Sequence, residues 1–457
     1  MTSGFTTAST ESSPDKKMQF NEAVQYLLGL GHETLTIKLG LKTTELLLRS
    51  LGDPQKAYPA VQIAGTNGKG STATVLDSIC RAAGIKSGLY TSPHLVSITE
   101  RIKLNGIEIL TEVFAAHVTQ VRDVAEKLVV SKELEALPTF FEQITAIALL
   151  AFREANVELA ILETGLGGRL DSTTAAKAQL VAITHLAMDH EEYLGDTLES
   201  IAAEKAAIIR PGVRAVIAAQ APEALGVIRR QCETSDVKPV INGCRTSVER
   251  ITADGLFCVT FETAVDVYEK LWLGLRGRHQ IENVAVSIQL AENLRDEGFA
   301  IPHSAIVEGV GSARHAGRLE LIADKPGFLL DGAHNPAGAQ ALRAYLDDFA
   351  PGPLTFVFGA MRDKRLEEMA EILFPAANHL VLTAIDNSRA ASTELLQTIA
   401  RRFMTEERIT LAPSSAEALT VAHEKTTSDG LICITGSLYL IGETRPLILR
   451  KAGLEVA

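Results

Sequence analysis

The stretch AVQIAGTNGKGSTATVLDSICRAAG, residues 60–84, decides the fold class. Val61 and Ile63 alternate as in a buried strand, three glycines and a lysine follow, and a helical pattern ends at Gly84. A glycine-rich turn between a strand and a helix directs backbone N–H groups towards an anion, and a lysine there adds a positive charge. The stretch therefore predicts a cradle for nucleotide phosphates.

The spacing of this turn differs from the common phosphate loop G-x-x-x-x-G-K-[ST]. Residue 64 is an alanine, and Gly70 separates Lys69 from Ser71. A glycine-rich turn with a purely structural role is the alternative. Gly-Lys-Gly-Ser directly between a strand and a helix is unusual, however, and favours binding of a nucleoside triphosphate.

The composition is that of a globular protein with more than one core. The chain has 457 residues, of which 46% are hydrophobic and 22% charged, and its formal net charge is −12. The acidic balance argues against a nucleic-acid-binding surface, and no apolar run is long enough to span a membrane. Five scattered cysteines without a C-x-x-C pair indicate free thiols in a reducing cytoplasm.

Apolar strand-like runs alternate with helical patterns, which is typical of α/β layers with a mostly parallel sheet. We expect a disordered tail over 1–17, an ATP-binding domain over 18–312 and a smaller Rossmann-like domain over 313–457. Residues 236–276 predict a small β extension. Predicted strands are 60–64, 86–90, 157–163, 180–184, 214–218, 327–331, 354–358, 379–384 and 430–435, and predicted helices are 71–83, 111–129, 141–154, 197–209 and 280–294.

Polar side chains follow two of the predicted strands at the edge where ligands bind in such sheets. Glu163 ends the strand 157–163, and its carboxylate beside a phosphate loop predicts a Mg²⁺ ligand. His190 follows the next strand and is a second candidate ligand, although a role in fixing the loop is the usual fate of a single histidine. Asp196 and Glu199 predict a capping box for the helix that follows.

Lys205 lies on the inner face of that helix, three and four residues beyond Ala202 and Ile201. A lysine among apolar residues loses hydration, which favours its neutral amine. A neutral lysine can take up CO₂ as a carbamate, which binds metals. The alternative is an exposed lysine whose stem covers apolar surface.

A second group of polar residues follows a strand in the other half of the chain. Asp331 and His334 come after Phe328–Leu330, with Asn335 and Pro336 predicted as the cap and first turn of a helix. Arg318 could reach phosphate across a domain cleft. Structural loop roles are the alternative if the domains do not face each other.

Together these segments resemble the folylpolyglutamate synthase/dihydrofolate synthase family, a branch of the Mur ligase superfamily. The resemblance covers nearly the whole chain after residue 18, and Gly70 belongs to the family's pattern. The motifs that carry it are GTNGKGS (65–71), TSPHL (91–95), TFFE (139–142), ETGLGGRLDST (163–173), MDH (188–190), EKAAI (204–208), RGRHQIEN (276–283), GRLE (317–320) and DGAHNP (331–336).

The resemblance implies an ATP-driven amide ligation in the cytoplasm. A folate-type carboxylate attacks the γ-phosphate of ATP, and the amine of L-glutamate then attacks the acyl phosphate. The implied acceptors are dihydropteroate and tetrahydrofolate, ATP is a co-substrate, and two Mg²⁺ sites are expected. No nucleic acid or membrane is implied, and we expect a monomer.

The resemblance also implies the residues of the site. Lys69, His190 and Lys205 would be catalytic, and Ser92, Glu163, His190 and a carbamylated Lys205 would hold the metals. The implied ATP-binding residues are Thr66, Asn67, Gly68, Lys69, Gly70, Ser71, Asn283, Arg318, Asp331 and His334. The implied substrate-binding residues are Leu39, Gly40, Thr139, Phe140, Phe141, Glu142, Leu170 and Asp171.

Three alternatives stay open at this stage. The chain could extend polyglutamate tails only, or it could be another Mur-type ligase that joins an amino acid to a nucleotide-linked sugar acid. It could also be a nucleotide-dependent regulator without catalysis. The segments 386–389 and 363–365 depart from the family pattern, which leaves the glutamate site least defined.

Overall fold

The computed structural model describes residues 17–31, 40–322, 324–350 and 352–454. These residues form three β-sheets with helices packed against them. Two sheets belong to the first predicted domain and one to the second. The boundary at residue 312 stays a prediction, and most of the predicted tail, residues 1–16, lies outside the described residues.

An eight-stranded sheet carries the phosphate loop. Its strands are β1 (Ala60–Ala64), β2 (Ser87–Tyr90), β3 (Ile102–Leu104), β4 (Ile107–Glu108), β5 (Leu159–Glu163), β6 (Leu180–Ile183), β7 (Arg214–Ile217) and β8 (Val240–Ile241). In the order β4-β3-β2-β5-β1-β6-β7-β8, the six strands from β2 to β8 are parallel, and β3 and β4 extend one edge antiparallel. Since β1 lies between β5 and β6, the loops after these three strands meet at one edge.

Helices cover both faces of this sheet. Because successive side chains of a strand point to opposite faces, Ile161 and Leu162 of β5 belong to two separate hydrophobic cores. The helices of this half are α1 (Phe20–Gly29), α2 (Lys42–Ser50), α3 (Lys69–Ala82), α4 (Thr111–Val130), α5 (Phe140–Glu154), α6 (Glu191–Leu194), α7 (Leu198–Ala206), α8 (Pro222–Thr234), α9 (Gln280–Asp296) and α10 (His303–Ser312).

A small antiparallel sheet confirms the β extension predicted over 236–276. Its strands are β9 (Cys244–Ile251), β10 (Phe257–Thr263) and β11 (Val267–Trp272), with β10 in the middle. The inner side chains of β10, Phe257, Val259 and Phe261, are fully buried and join the core that lies under α3 and α9. The small sheet is therefore part of the first half of the molecule.

The second half forms a six-stranded sheet with its own core. Its strands are β12 (Glu320–Ile322), β13 (Gly327–Leu330), β14 (Leu354–Phe358), β15 (His379–Thr383), β16 (Ile409–Ala412) and β17 (Leu431–Thr435), in the order β12-β13-β17-β14-β15-β16. All but β12 are parallel, as the Rossmann-like prediction requires. The helices around it are α11 (Pro336–Phe349), α12 (Leu366–Leu373), α13 (Thr393–Ala400), α14 (Ser415–Lys425) and α15 (Leu438–Lys451).

The fold class predicted from the sequence is confirmed, with local corrections. Helix α3 begins at Lys69, two residues before the predicted start. The capping box predicted for α7 is wrong: Thr197 is its cap and Ser200 its partner, because the helix begins one residue later than Asp196 would require. Asn335 caps α11 as predicted, with Pro336 in the first turn. No helix of the described ranges has the length and apolar character needed to cross a membrane.

Candidate active site

The turn after β1 forms a phosphate-binding loop. Gly68 is left-handed, with a φ of 87°, and Lys69 is the first residue of α3. The Lys69 Nζ donates a hydrogen bond to the carbonyl oxygen of Thr66, 3.1 Å away, which folds the side chain back over the loop. Residues 65–71 line a cavity of about 470 Å³ at the N-terminus of α3, where the helix dipole favours an anion.

The loop after β6 holds the phosphate loop in place. The Thr66 hydroxyl donates to the Ala187 carbonyl at 3.0 Å, and the Thr184 hydroxyl donates to the Asn67 carbonyl at 2.8 Å. The backbone N–H groups of Thr66 and Asn67 both donate to the carbonyl of His185. These bonds fix the conformation of the loop before a ligand binds.

The cavity brings together residues from both halves of the chain. Its walls come from the loops after β1, β5 and β6, from α7 and α9, and from the segments around Arg318 and Asp331. The predicted nucleotide and metal residues that line it are Thr66, Asn67, Gly68, Lys69, Gly70, Ser71, Ser92, Glu163, His190, Lys205, Asn283, Arg318, Asp331 and His334. The two halves therefore face each other across this cavity, as the predicted roles of Arg318, Asp331 and His334 require.

Burial determines the electrostatics of this cleft. Desolvation lowers the pKa of Lys69 and raises the pKa of Glu163, while the opposite charge of each partly offsets these shifts. Lys205 is only 4% exposed, and burial together with the charge of Lys69 lowers its pKa to about 7. Burial also lowers the pKa of His190 to about 3, so that its imidazole is neutral at physiological pH.

The carboxylate of Glu163 beside the phosphate loop has the chemistry of a magnesium ligand. The Glu163 Oε2 accepts the backbone N–H of Ser92 at 3.1 Å, and a Cβ at Gly70 would lie 3.2 Å from the same oxygen. Mg²⁺ takes few protein oxygens and completes its shell with water and phosphate. Among the described residues no three His, Cys, Asp or Glu side chains form a metal cluster.

A second cavity of about 510 Å³ adjoins the first. It is lined by five residues predicted to bind the acceptor, Thr139, Phe141, Glu142, Leu170 and Asp171. Residues of the second half close its other side. The two cavities share a wall formed by Ser92, Pro93, Gly165, His190, Leu194, His334 and Leu438.

Comparison with known proteins agrees with this geometry. Residues 63–291 match the Mur ligase middle domain, and residues 317–438 match the Mur ligase glutamate ligase domain. The dihydrofolate synthase/folylpolyglutamate synthase of Bacillus subtilis (strain 168) is 36% identical over 418 residues, covering 90% of this chain and 95% of the relative. The chain belongs to this family of Mur ligases. The resemblance drawn from the motifs is confirmed, and the chain is accordingly a ligase.

Other members of the family differ in length. The chain spans about half of the probable bifunctional folylpolyglutamate synthase/dihydropteroate synthase of Haloferax volcanii, with 34% identity over 94% of this chain and 50% of the relative. The structure of E. coli FolC in complex with DHPP and ADP is similar over the whole fold. Its TM-score is 0.84 at 28% identity, and the match covers 95% of this chain and 99% of FolC.

The TFFE motif of this Mur ligase has a structural role as well as a place in the acceptor cavity. Thr139 and Glu142 form the capping box of α5, in which the Thr139 N–H donates to Glu142 Oε2 at 2.8 Å. Phe141 lines the cavity, whereas Phe140 is 3% exposed in the core and lines neither cavity. The two phenylalanines lie in different surroundings because consecutive residues of a helix point in different directions, and substrate contact by Phe140 stays a prediction that its place in the core does not support.

Asp171 stabilises the loop that lines the acceptor cavity. Its Oδ2 accepts the N–H groups of Gly165 and Leu166, and its Oδ1 accepts the N–H and hydroxyl of Thr173. A carboxylate with four donors has little acceptor capacity left for a ligand. Gly40 lines neither cavity, and Leu39 lies outside the described residues.

Asp189 links the two halves of this ligase, a role that the sequence did not reveal. Lys364 Nζ lies 2.7 Å from its Oδ1, and the Asn335 amide donates to its Oδ2 at 3.2 Å. Burial alone would raise the pKa of Asp189, but contact with His334 and the charge of Lys364 hold it well below its usual range. Lys364 follows Asp363 in the segment that departs from the family pattern, and no local signal predicts its pairing with Asp189.

Proposed function

We propose that this chain is an ATP-dependent ligase that adds L-glutamate to dihydropteroate and to the glutamate tail of tetrahydrofolate. The observation that carries the proposal is the shared wall of the two cavities. A nucleotide in one cavity and a carboxylate acceptor in the other would meet beside Ser92, His190 and His334. The adjoining cavities supply the proximity that transfer between two anions requires.

The proposed reaction has two steps. A carboxylate oxygen of the acceptor bonds to the γ-phosphorus of ATP, and the bond to ADP breaks. The amine nitrogen of glutamate then bonds to the acyl carbon and loses one proton, and phosphate leaves with the electron pair of the broken C–O bond. Lys69 and Arg318 line the nucleotide cavity and would stabilise the negative charge on the phosphoryl oxygens.

Magnesium would be held at the phosphate end of the cleft. Ser92 and Glu163 would bind one ion, and Glu163, His190 and Lys205 in its carbamate form would bind a second. The bound ions supply charge neutralisation of the phosphates. The neutral imidazole of His190 suits this role, since a protonated ring cannot bind a metal.

The second cavity supports the assignment of the acceptor. Phe141 offers an aromatic face for a flat ring, and Leu170 adds apolar surface beside it. Arg389 lines the same cavity, where its positive charge suits the carboxylates of glutamate, whereas the charge of Lys364 is paired with Asp189. A cytoplasmic location and a monomeric state are further predictions for this ligase.

Product analysis tests the proposal and separates its alternatives. The purified chain, ATP, Mg²⁺ and L-glutamate are incubated with dihydropteroate or with tetrahydrofolate, and phosphate and folate products are measured. We expect dihydrofolate from the first mixture and a lengthened glutamate tail from the second. The K69A variant should lose both, whereas K127A, with its exposed lysine on α4, should keep both.

Each alternative has its own outcome. Absence of dihydrofolate with normal tail extension would leave a folylpolyglutamate synthase only. Phosphate release with a UDP-muramyl acceptor, but with neither folate, would indicate another Mur-type ligase. Nucleotide binding without phosphate release under any of these conditions would indicate a regulator.

A further inference from the structure

A histidine outside every sequence motif lies against the phosphate loop. His315 belongs to the segment between α10 and β12, which connects the two halves of the chain. Its Nδ1 lies 3.2 Å from the Ser71 hydroxyl, and its Cε1 would lie 2.9 Å from a Cβ at Gly70. The imidazole therefore packs directly on the Gly70–Ser71 part of the loop.

The hydroxyl of Ser71 uses two of its three hydrogen-bonding positions within the protein. A hydroxyl has one hydrogen and two acceptor positions. The Gln280 amide donates to the Ser71 oxygen at 3.4 Å and occupies one acceptor position. His315 occupies a second position in either tautomer: an unprotonated Nδ1 accepts the Ser71 hydrogen, and a protonated Nδ1 donates to the Ser71 oxygen. One polar position is left for the nucleotide cavity, which Ser71 lines.

The same segment carries an arginine of the nucleotide cavity. Arg318 follows His315 by three residues, and its guanidinium donates to the Gly332 carbonyl at 3.3 Å. The Gly332 N–H in turn donates to the Gly317 carbonyl at 2.9 Å. The segment is thus held at one end by the second sheet and at the other by the contact of His315 with Ser71.

We propose that His315 is a positioning residue for nucleotide binding: it orients the Ser71 hydroxyl and holds the Arg318 segment against the phosphate loop. The proposal rests on the proposed function only in that the nucleotide is ATP. His315 itself lines neither cavity, so it acts through Ser71 and does not contact the nucleotide.

Calorimetric titration with ADP, in Mg²⁺ and in EDTA, tests the proposal without turnover. We expect H315L to weaken ADP binding in Mg²⁺ about three- to tenfold, the worth of one neutral hydrogen bond. H315N should restore most of the loss, because its amide can accept from or donate to the Ser71 hydroxyl, as the two tautomers of the imidazole do. In the assay, H315L should raise KM for ATP and leave KM for glutamate unchanged. H303L, at a histidine that pairs with Asp266 beside the small sheet, should bind ADP like the wild type.

A double-mutant cycle with S71A identifies the route of the effect. If His315 acts through Ser71, H315L should have little further effect in the S71A background. Wild-type affinity in H315L, or an equal loss in both backgrounds, would overturn the proposal. If H315L does not fold, S71A alone decides, since wild-type ADP affinity in S71A would also overturn it. A wild-type chain that does not bind ADP would instead overturn the proposed function.

Discussion

Lys205 illustrates how the surroundings of one residue define its chemistry. It lies near the end of α7, next to Ala206 and one turn beyond Ile201, and only 4% of it is exposed. Because burial and the charge of Lys69 lower its pKa to about 7, a large fraction of its amine is neutral at physiological pH. The neutral amine is the form that attacks CO₂ and loses a proton to give a carbamate.

At this scale we predict that Lys205→Ala reduces ligation by roughly 100-fold or more while the fold is kept, because a ligand group of the metal site is lost. In ¹³C-bicarbonate the wild type should show a carbamate resonance that the variant lacks. Lys127→Ala, which removes an exposed lysine, is the control and should change neither signal nor rate. Turnover at the wild-type rate in Lys205→Ala would exclude the carbamate role.

The strand–turn–helix element owes its geometry to one left-handed glycine. Gly68 turns the chain from β1 into α3, and a Cβ there would lie 2.2 Å from Asn283 Oδ1. Gly84, at the other end of α3, has a similar φ of 77° with nothing within 4 Å of such a Cβ. Alanine variants at the two glycines therefore distinguish the effect of backbone strain, which both share, from the effect of contact with Asn283, which only Gly68 has.

We predict that Gly84→Ala lowers the free energy of unfolding by about 1–2 kcal/mol and Gly68→Ala by at least as much, since both place alanine at positive φ. Only Gly68→Ala should also weaken ADP binding, at least tenfold, because its methyl group displaces Asn283. Urea unfolding and calorimetric titration measure the two effects. Equal ADP affinity in the two variants would show that the Gly68–Asn283 contact does not matter for the nucleotide.

The whole molecule is held in its cleft arrangement by polar contacts between the halves. Asn335 donates to Asn67 at 3.1 Å and to Asp189 at 3.2 Å, and Lys364 completes the group through its ion pair with Asp189. The side chains of Lys364 and Asp189 are 10% and 6% exposed. A buried pair of this kind is costly to break, since removal of one partner leaves the other charge uncompensated.

We predict that Lys364→Met destabilises the packing of the two halves around the cleft by about 3–5 kcal/mol and lowers activity with every acceptor. Small-angle scattering with ADP bound should show a larger radius of gyration than for the wild type. The effect should be the same at pH 6 and pH 8, because the pKa of Asp189 lies far below this range. Lys425→Met, at an exposed lysine of α14, is the control. An unchanged radius and rate in Lys364→Met would contradict this role.

The sequence alone determined the fold class and the phosphate loop. These features depend on patterns within a few residues: alternation in β1, glycines in the turn and helical spacing in α3. Parallel strands bring their carboxyl ends to one edge, so Glu163 and His190 could be expected near Lys69. The same local logic did not reveal that Phe140 lies in the core, because its direction depends on how α5 packs.

Only the tertiary structure decided which distant groups pair. Asp189 meets Asn335 and Lys364 across 146 and 175 residues, and Ser71 meets His315 across 244. Such pairs depend on how the two halves pack against each other, and no spacing in the chain encodes that packing. The pKa of Lys205 depends on such packing as well. The sequence could place Lys205 among apolar neighbours, but only the tertiary structure brings the charge of Lys69 close enough to lower this pKa further.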